Sequence, residues 1–219
     1  MIILGLTGSI GMGKTTAANN FKRFGVPVHD ADAAVHELMA VGGAAVPEIA
    51  AAFPDAVVDG AVDRQRLGAK VFDNKQALRQ LEGILHPQVQ AHKKRFLAVA
   101  ARGGASAVVL DVPLLFETGG DKSCDAVITV SAPAFVQAAR VLARPGMTPD
   151  KLKSILEHQM PDAEKRRRAD FIVPTGLGRV ESLRAVRTIL DALRHRRGRH
   201  WPPFPRRPVV RANPSPWAP

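Results

Sequence analysis

The chain has 219 residues, 46% hydrophobic and 23% charged, which suits one globular domain with an insertion and leaves too little for two domains and a linker. No apolar run approaches the length of a membrane span, and the single cysteine, Cys124, excludes an intrachain disulfide and a cysteine-based zinc site. The net charge of +11 is concentrated at one end: beyond Asp191 come seven arginines and no acid, so residues 1–191 carry 24 basic and 20 acidic side chains.

Ile2 to Thr7 is an apolar run ending in glycine and serine, the pattern of a buried parallel strand and not of a signal peptide. With one cysteine and no leader, a cytoplasmic setting is expected. Thr15 to Phe24 reads as a helix closed by Gly25, and Val26 to His29 as a second short strand ending at Asp30. From about residue 33 to 102 strand signals nearly vanish. Helix starts fall at Asp63 and Asn74, and Pro87 suits the first turn of a longer helix running toward Ala101. This block reads as a helical insertion with its own core of Leu67, Val71, Phe72, Leu78, Leu81 and Leu85.

Strands are expected again at Ala107 to Val112, Ala126 to Val130 and Phe171 to Val173. Helices are expected at Pro133 to Ala143, after Thr148-Pro149, at Pro161 to Ala169 and at Glu181 to Leu193. The sum is an α/β fold: a mostly parallel sheet of about five strands flanked by helices, with an inserted helical subdomain. Residues 194–219, rich in Pro and Arg, read as a disordered basic tail.

The strongest motif is Gly8-Ser9-Ile10-Gly11-Met12-Gly13-Lys14-Thr15, a G-x-x-x-x-G-K-[ST] octet between strand and helix. Its glycines let successive N–H groups turn inward around phosphate oxygens, with the helix N-terminus adding its positive end. Gly8, Gly11, Met12, Gly13, Lys14, Thr15 and Thr16 are therefore the nucleotide contacts, with Lys14 at the β- and γ-phosphates and the Thr15 hydroxyl a Mg²⁺ ligand. No D-x-x-G exists, and the one Asn-Lys falls in the insertion, which excludes a GTPase switch.

A small P-loop kinase also needs a base, an acceptor-binding insertion and an arginine-bearing lid. Asp30 and Asp32 follow the second strand, at the sheet end where ligands bind; one can take a proton, another can hold Mg²⁺ through water, and either can simply cap the next helix. Asp111 ends the third strand as a further metal candidate, and Glu117 is an acidic candidate near the acceptor. Arg140 and Arg144 share one helix face, suited to developing phosphoryl charge, in a lid region of about 140–168. Lys165-Arg166-Arg167-Arg168 can close over the nucleotide or form a solvated face. His86 is a substrate contact or a core imidazole. Cys124 reads as inert.

These residues resemble the dephospho-CoA kinases. The resemblance spans about 1–192 and rests on Leu6–Thr16, Val28-His29-Asp30-Ala31-Asp32, Leu85-His86-Pro87, Asp111-Val112-Pro113-Leu114-Leu115-Phe116-Glu117, Gln137 with Arg140 and Arg144, and Gln159-Met160 with Glu164-Lys165-Arg166. It implies a P-loop kinase fold and ATP-dependent phosphorylation of the ribose 3′-hydroxyl of dephospho-coenzyme A, with Mg²⁺. It further implies Asp32 as base, the insertion as the CoA-side domain and the arginine-bearing segment as a lid. The chain departs from the family at Pro174-Thr175-Gly176, where a polar pair such as Asp-Asn is usual, which leaves adenine contacts open. The expected partner is the small-molecule substrate, with no membrane, and with no nucleic acid expected although the basic tail leaves this open, in a monomer or weak homo-oligomer.

Overall fold

The computed structural model describes residues 1–202; the expectation of disorder for the tail beyond Pro202 lies outside the described residues. Strand β1 (Ile2–Thr7) is buried along its whole length, as an uninterrupted apolar run requires at the middle of a sheet covered on both faces. It leads through the octet into α1 (Lys14–Arg23), then β2 (Val28–Asp30). The insertion follows: α2 (Ala31–Met39), α3 (Val46–Ala52), a short hairpin of β3 (Val57–Val58) and β4 (Ala61–Val62), α4 (Arg64–Val71) and α5 (Lys75–Arg102). The chain then returns to the sheet with β5 (Ala107–Asp111) and β6 (Ala126–Ser131). It closes with α6 (Ala134–Leu142), α7 (Pro149–Glu157), α8 (Asp162–Arg168), β7 (Phe171–Pro174) and α9 (Arg179–Leu193).

The five long strands form one parallel sheet in the order β2-β5-β1-β6-β7. Its register aligns Leu6 with Asp111 and Asp30 with Asp111, so the octet and both carboxylates leave the sheet at the same edge. One core lies between the sheet and α1 and α9, built on Leu4, Leu6, Phe21, Ile128, Val173 and Val186. On the other face Ile3, Val108, Leu110, Leu115 and Phe116 pack against Leu97 and Ala100 of α5. No described helix is long and apolar enough to cross a membrane.

Local capping behaves as expected. Asp63 and Asn74 accept backbone N–H groups at the starts of α4 and α5, and Thr148 does so for α7, with Pro149 at the first helical position. Three expectations are corrected. Pro87 begins no helix; it lies inside the 28-residue α5. Pro87 has no N–H to give the Gly83 carbonyl, so the helix continues through it at the cost of one hydrogen bond. The insertion is not purely helical, since Asp59 and Gly60, with φ of 50° and 77°, form the tight turn of the β3–β4 hairpin. Its core also differs. Leu67 and Leu81 are buried, with Val71 and Leu85 beside them, but Phe72 and Leu78 are exposed and the centre is Leu38, Met39, Ile49 and Phe53.

The first part of the tail is not detached from the body. Arg199 N–H donates to Asp125 Oδ1 at 2.5 Å, and Trp201 packs on the core beneath β6.

A histidine pair joins the insertion to the sheet. His29 of β2 is buried, with Nε2 3.0 Å from His92 Nδ1 on α5, and its ring lies 5.2 Å from Phe96. Burial, then the charges of His92 and Lys93, push the His29 pKa down to about 4, against the opposing pull of Asp30 and Glu37. The unfolded chain therefore binds this proton more tightly. The stability that His29 contributes is complete above its unfolded pKa of about 6.5 and is lost as pH falls toward 4. Urea unfolding at pH 7 and pH 5 should show the wild type losing about 2 kcal/mol more than His29→Gln. Parallel losses in the two proteins would remove His29 from the acid response.

Candidate active site

The octet turns on two left-handed glycines. Gly11 and Gly13 sit at φ of 76° and 85°, and a Cβ on Gly13 would press on the Thr175 side chain at 3.1–3.3 Å. Thr175 is buried, donates from Oγ1 to the Met12 carbonyl at 2.5 Å, and so ties the end of β7 to the loop. The Met12 side chain is itself buried, and its sulfur accepts the Ala132 N–H; only its backbone can serve a nucleotide. The loop's outer turn is held by Gln137 Nε2, which donates to Ile10 O at 2.8 Å, and by Gln159 Oε1, which accepts Ile10 N–H at 3.0 Å.

Two cavities meet at this loop. The larger, about 420 Å³, lies on the α1 and α9 side and is lined by Gly11, Thr16, Arg140, Thr175, Arg179 and Ser182, among others. The smaller, about 290 Å³, joins Gly8 and Lys14 to Asp32, Pro113, Arg144 and Gln159. Gly11, Gly13, Thr15 and Arg144 line both. A triphosphate lying along the loop would thus pass from the first into the second.

Electrostatics single out one pair. Lys14 Nζ stands 2.6 Å from Asp111 Oδ1, and Asp111 is almost wholly buried. Burial raises the Asp111 carboxyl above the ordinary range; Lys14 opposes this, and the nearby Asp30 and Asp32 add to it. Among the described residues no three His, Cys, Asp or Glu side chains converge as a metal-binding set. The donor chemistry still fits Mg²⁺, which keeps several waters and asks few protein oxygens. Thr15 supplies a hard oxygen in the wall of the smaller cavity, and the buried Asp111 another beside Lys14.

Several expected site residues stand elsewhere than their spacing implied. Asp30 caps α2, its Oδ1 accepting Ala33 N–H at 3.0 Å, so one oxygen is spent on the helix. Asp32, two residues later, is exposed and lines the cavity. Arg140, expected at the transferred phosphate, donates instead to Thr175 O at 2.7 Å and Thr175 Oγ1 at 3.2 Å, because the helix face puts it against β7. Arg144, past the end of α6, is the arginine that reaches both cavities.

Glu117, an exposed residue, has one carboxylate oxygen committed within the protein. Its Oε1 accepts Met160 N–H at 2.8 Å and pairs with Lys165 Nζ at 2.9 Å. Burial works to raise its carboxyl, and these two partners outweigh it, leaving the pKa below the usual range. His86 lies exposed on α5 and lines neither cavity, so it is no core imidazole. The basic run 165–168 is divided: Lys165 is buried, Arg167 pairs with Glu164, and Arg168 lies 4.6 Å over the Phe116 ring. Cys124 is buried and its thiol pushed up to about 11, chiefly by that burial, which fits an inert thiol.

Thr175, Arg179, Ser182 and Pro113 were not singled out by sequence reasoning as lining residues. Pro113, which closely follows the strand ending at Asp111, and Thr175, in the stretch tied to adenine contacts, carried a signal; Arg179 and Ser182 carried none.

Comparisons with known proteins follow the same outline. The family model described as dephospho-CoA kinase matches residues 2–177. A dephospho-CoA kinase of Mesorhizobium japonicum is 57% identical over 199 residues, covering 90% of this chain and all of that protein. One from Paramagnetospirillum magneticum is 62% identical over 166 residues, 76% of this chain and 78% of that one. Among solved structures, a Thermus thermophilus protein superposes with a TM-score of 0.74 at 34% identity, over 87% of this chain and 96% of that one.

Proposed function

Because this chain belongs to the dephospho-CoA kinase family, we propose that it transfers the γ-phosphoryl group of ATP to the ribose 3′-hydroxyl of dephospho-coenzyme A, giving coenzyme A and ADP. This is the last step of coenzyme A assembly. The observation that carries the reading at the level of chemistry is the smaller cavity, where Lys14 and Thr15 of the phosphate loop meet an exposed carboxylate, Asp32, from the opposite element.

The roles follow from placement. Backbone N–H groups of the loop and the start of α1 hold the phosphates, and Lys14 and Arg144 balance charge on the transferred group. Asp32 accepts the proton of the attacking hydroxyl. Arg140 is a positioning residue that fixes the end of β7 and its Thr175 beside the loop. Thr15, with Asp111, would hold Mg²⁺, which would neutralise phosphate charge when bound. We assign residues 33–102 to the acceptor side, the segment 140–168 to the lid, and the reaction to the cytoplasm.

An ADP-release assay decides the substrate. ADP should form with dephospho-CoA and only at background rates with AMP, UMP, shikimate or nucleosides. Equal turnover with any of those would reassign the acceptor.

A further inference from the structure

Lys165 is fully buried, although the three arginines that follow it are not, and no role described above uses it. A desolvated ammonium persists only where geometry satisfies it. Its Nζ lies 2.9 Å from Glu117 Oε1 and 3.2 Å from Pro113 O. The same Pro113 carbonyl accepts the Thr7 hydroxyl at 2.9 Å. The same Glu117 oxygen accepts Met160 N–H at 2.8 Å, and the residue before Met160 is Gln159, whose Oε1 takes the Ile10 N–H of the phosphate loop. At its own backbone, Lys165 O accepts the Thr129 hydroxyl at 3.2 Å, which fixes α8 to the sheet.

Two parts of the smaller cavity's wall, Pro113 and Gln159, therefore hang on one ammonium group, the first directly and the second through Glu117 and Met160. Lys165 is the buried member of the pair and Glu117 reaches the surface, and a buried charge is often replaceable by an apolar group with no loss of stability. Packing alone gives no reason for a charge here; directional control of two wall segments does. We propose that Lys165 is a positioning residue for phosphoryl transfer, setting the cavity wall so that the acceptor hydroxyl and not water meets the γ-phosphate. The proposal rests on the reaction given above and names what governs its fidelity.

When the wall loosens, water enters and attacks the γ-phosphorus. The bond to the bridging oxygen of ADP breaks, a bond to the water oxygen forms, and the water's proton passes to solvent, giving inorganic phosphate. The signature is the number of ADP molecules released per coenzyme A formed. Both quantities scale with the folded fraction, so a protein that is merely less stable keeps the ratio.

The full chain is assayed with ATP and dephospho-CoA, with ADP and coenzyme A measured in parallel. Wild type should give a ratio near one. Lys165→Met should lower kcat for transfer by about 30-fold, with the KM for ATP changed less than about 3-fold, and raise the ratio above about two. Glu117→Gln/Lys165→Met should recover the wild-type melting temperature without recovering kcat. Gln159→Ala, which leaves the Lys165–Glu117 pair in place, should raise the ratio in the same direction and serves if Lys165→Met does not fold. A ratio of one in Gln159→Ala, or wild-type kcat in the double variant, overturns the proposal alone. A wild-type chain that forms no coenzyme A overturns the reaction and the proposal with it.

Discussion

Asp32→Asn is expected to lower kcat by about 10²-fold or more while the KM for ATP changes little. The substitution keeps size and most hydrogen bonding and removes only the proton acceptor. Asp32 suits the role because its neighbour does not: Asp30 spends an oxygen on the Ala33 N–H, while Asp32 is exposed along the cavity that holds Lys14 and Thr15. Asp30→Asn is the natural control, since asparagine caps a helix about as well as aspartate. It should leave kcat within about 3-fold, and Asp30→Ala should cost about 1 kcal/mol of stability instead. Steady-state kinetics on both variants, with urea unfolding, separates the two carboxylates. If Asp30→Asn abolishes turnover and Asp32→Asn does not, the assignment is reversed.

Lys14→Ala should cut phosphoryl transfer by at least ~10²-fold, because a cationic donor is lost where charge develops. The substitution has a second effect. It strips Asp111 of its partner at 2.6 Å and leaves a buried carboxylate unpaired. The single variant should therefore also be less stable, and its carboxyl should rise further. Adding Asp111→Asn removes the orphaned charge and should restore the melting temperature without restoring activity. Thermal melts alongside turnover tell these contributions apart. Wild-type turnover in a folded Lys14→Ala protein would take the lysine out of the chemistry.

Much of this architecture was readable where a residue acts on its own neighbours. The apolar run of β1, the glycines of the octet and the caps Asp63, Asn74 and Thr148 are local devices, and each appears where its chemistry places it. The β3–β4 hairpin was also written in the chain, as Asp59-Gly60 between apolar pairs, but strands of two residues give no alternation to detect. The continuity of α5 through Pro87 was not local, because its far half is held by the sheet core through Leu97 and Ala100.

The site divides in the same way. Glycine, lysine and threonine of the loop declare themselves by spacing. Glu117 and Lys165 do not, because Lys165-Arg166-Arg167-Arg168 is a uniform basic run until tertiary packing turns its first member inward. Arg140 and Arg144 were equivalent by spacing and differ only because β7 offers carbonyl and hydroxyl acceptors to one of them.

The position of β1 bears on how the chain is made. It leaves the ribosome before the other strands of its sheet and is the middle strand of the finished sheet, and its partners β5 and β6 begin about a hundred residues later. At ~5–20 residues per second, β1 waits roughly 5–20 s with both edges unpaired and an apolar sequence on display. Through that interval the segment Ile2–Thr7 is a ready binding site for a chaperone that holds extended apolar peptides, and a ready partner for another nascent copy of itself.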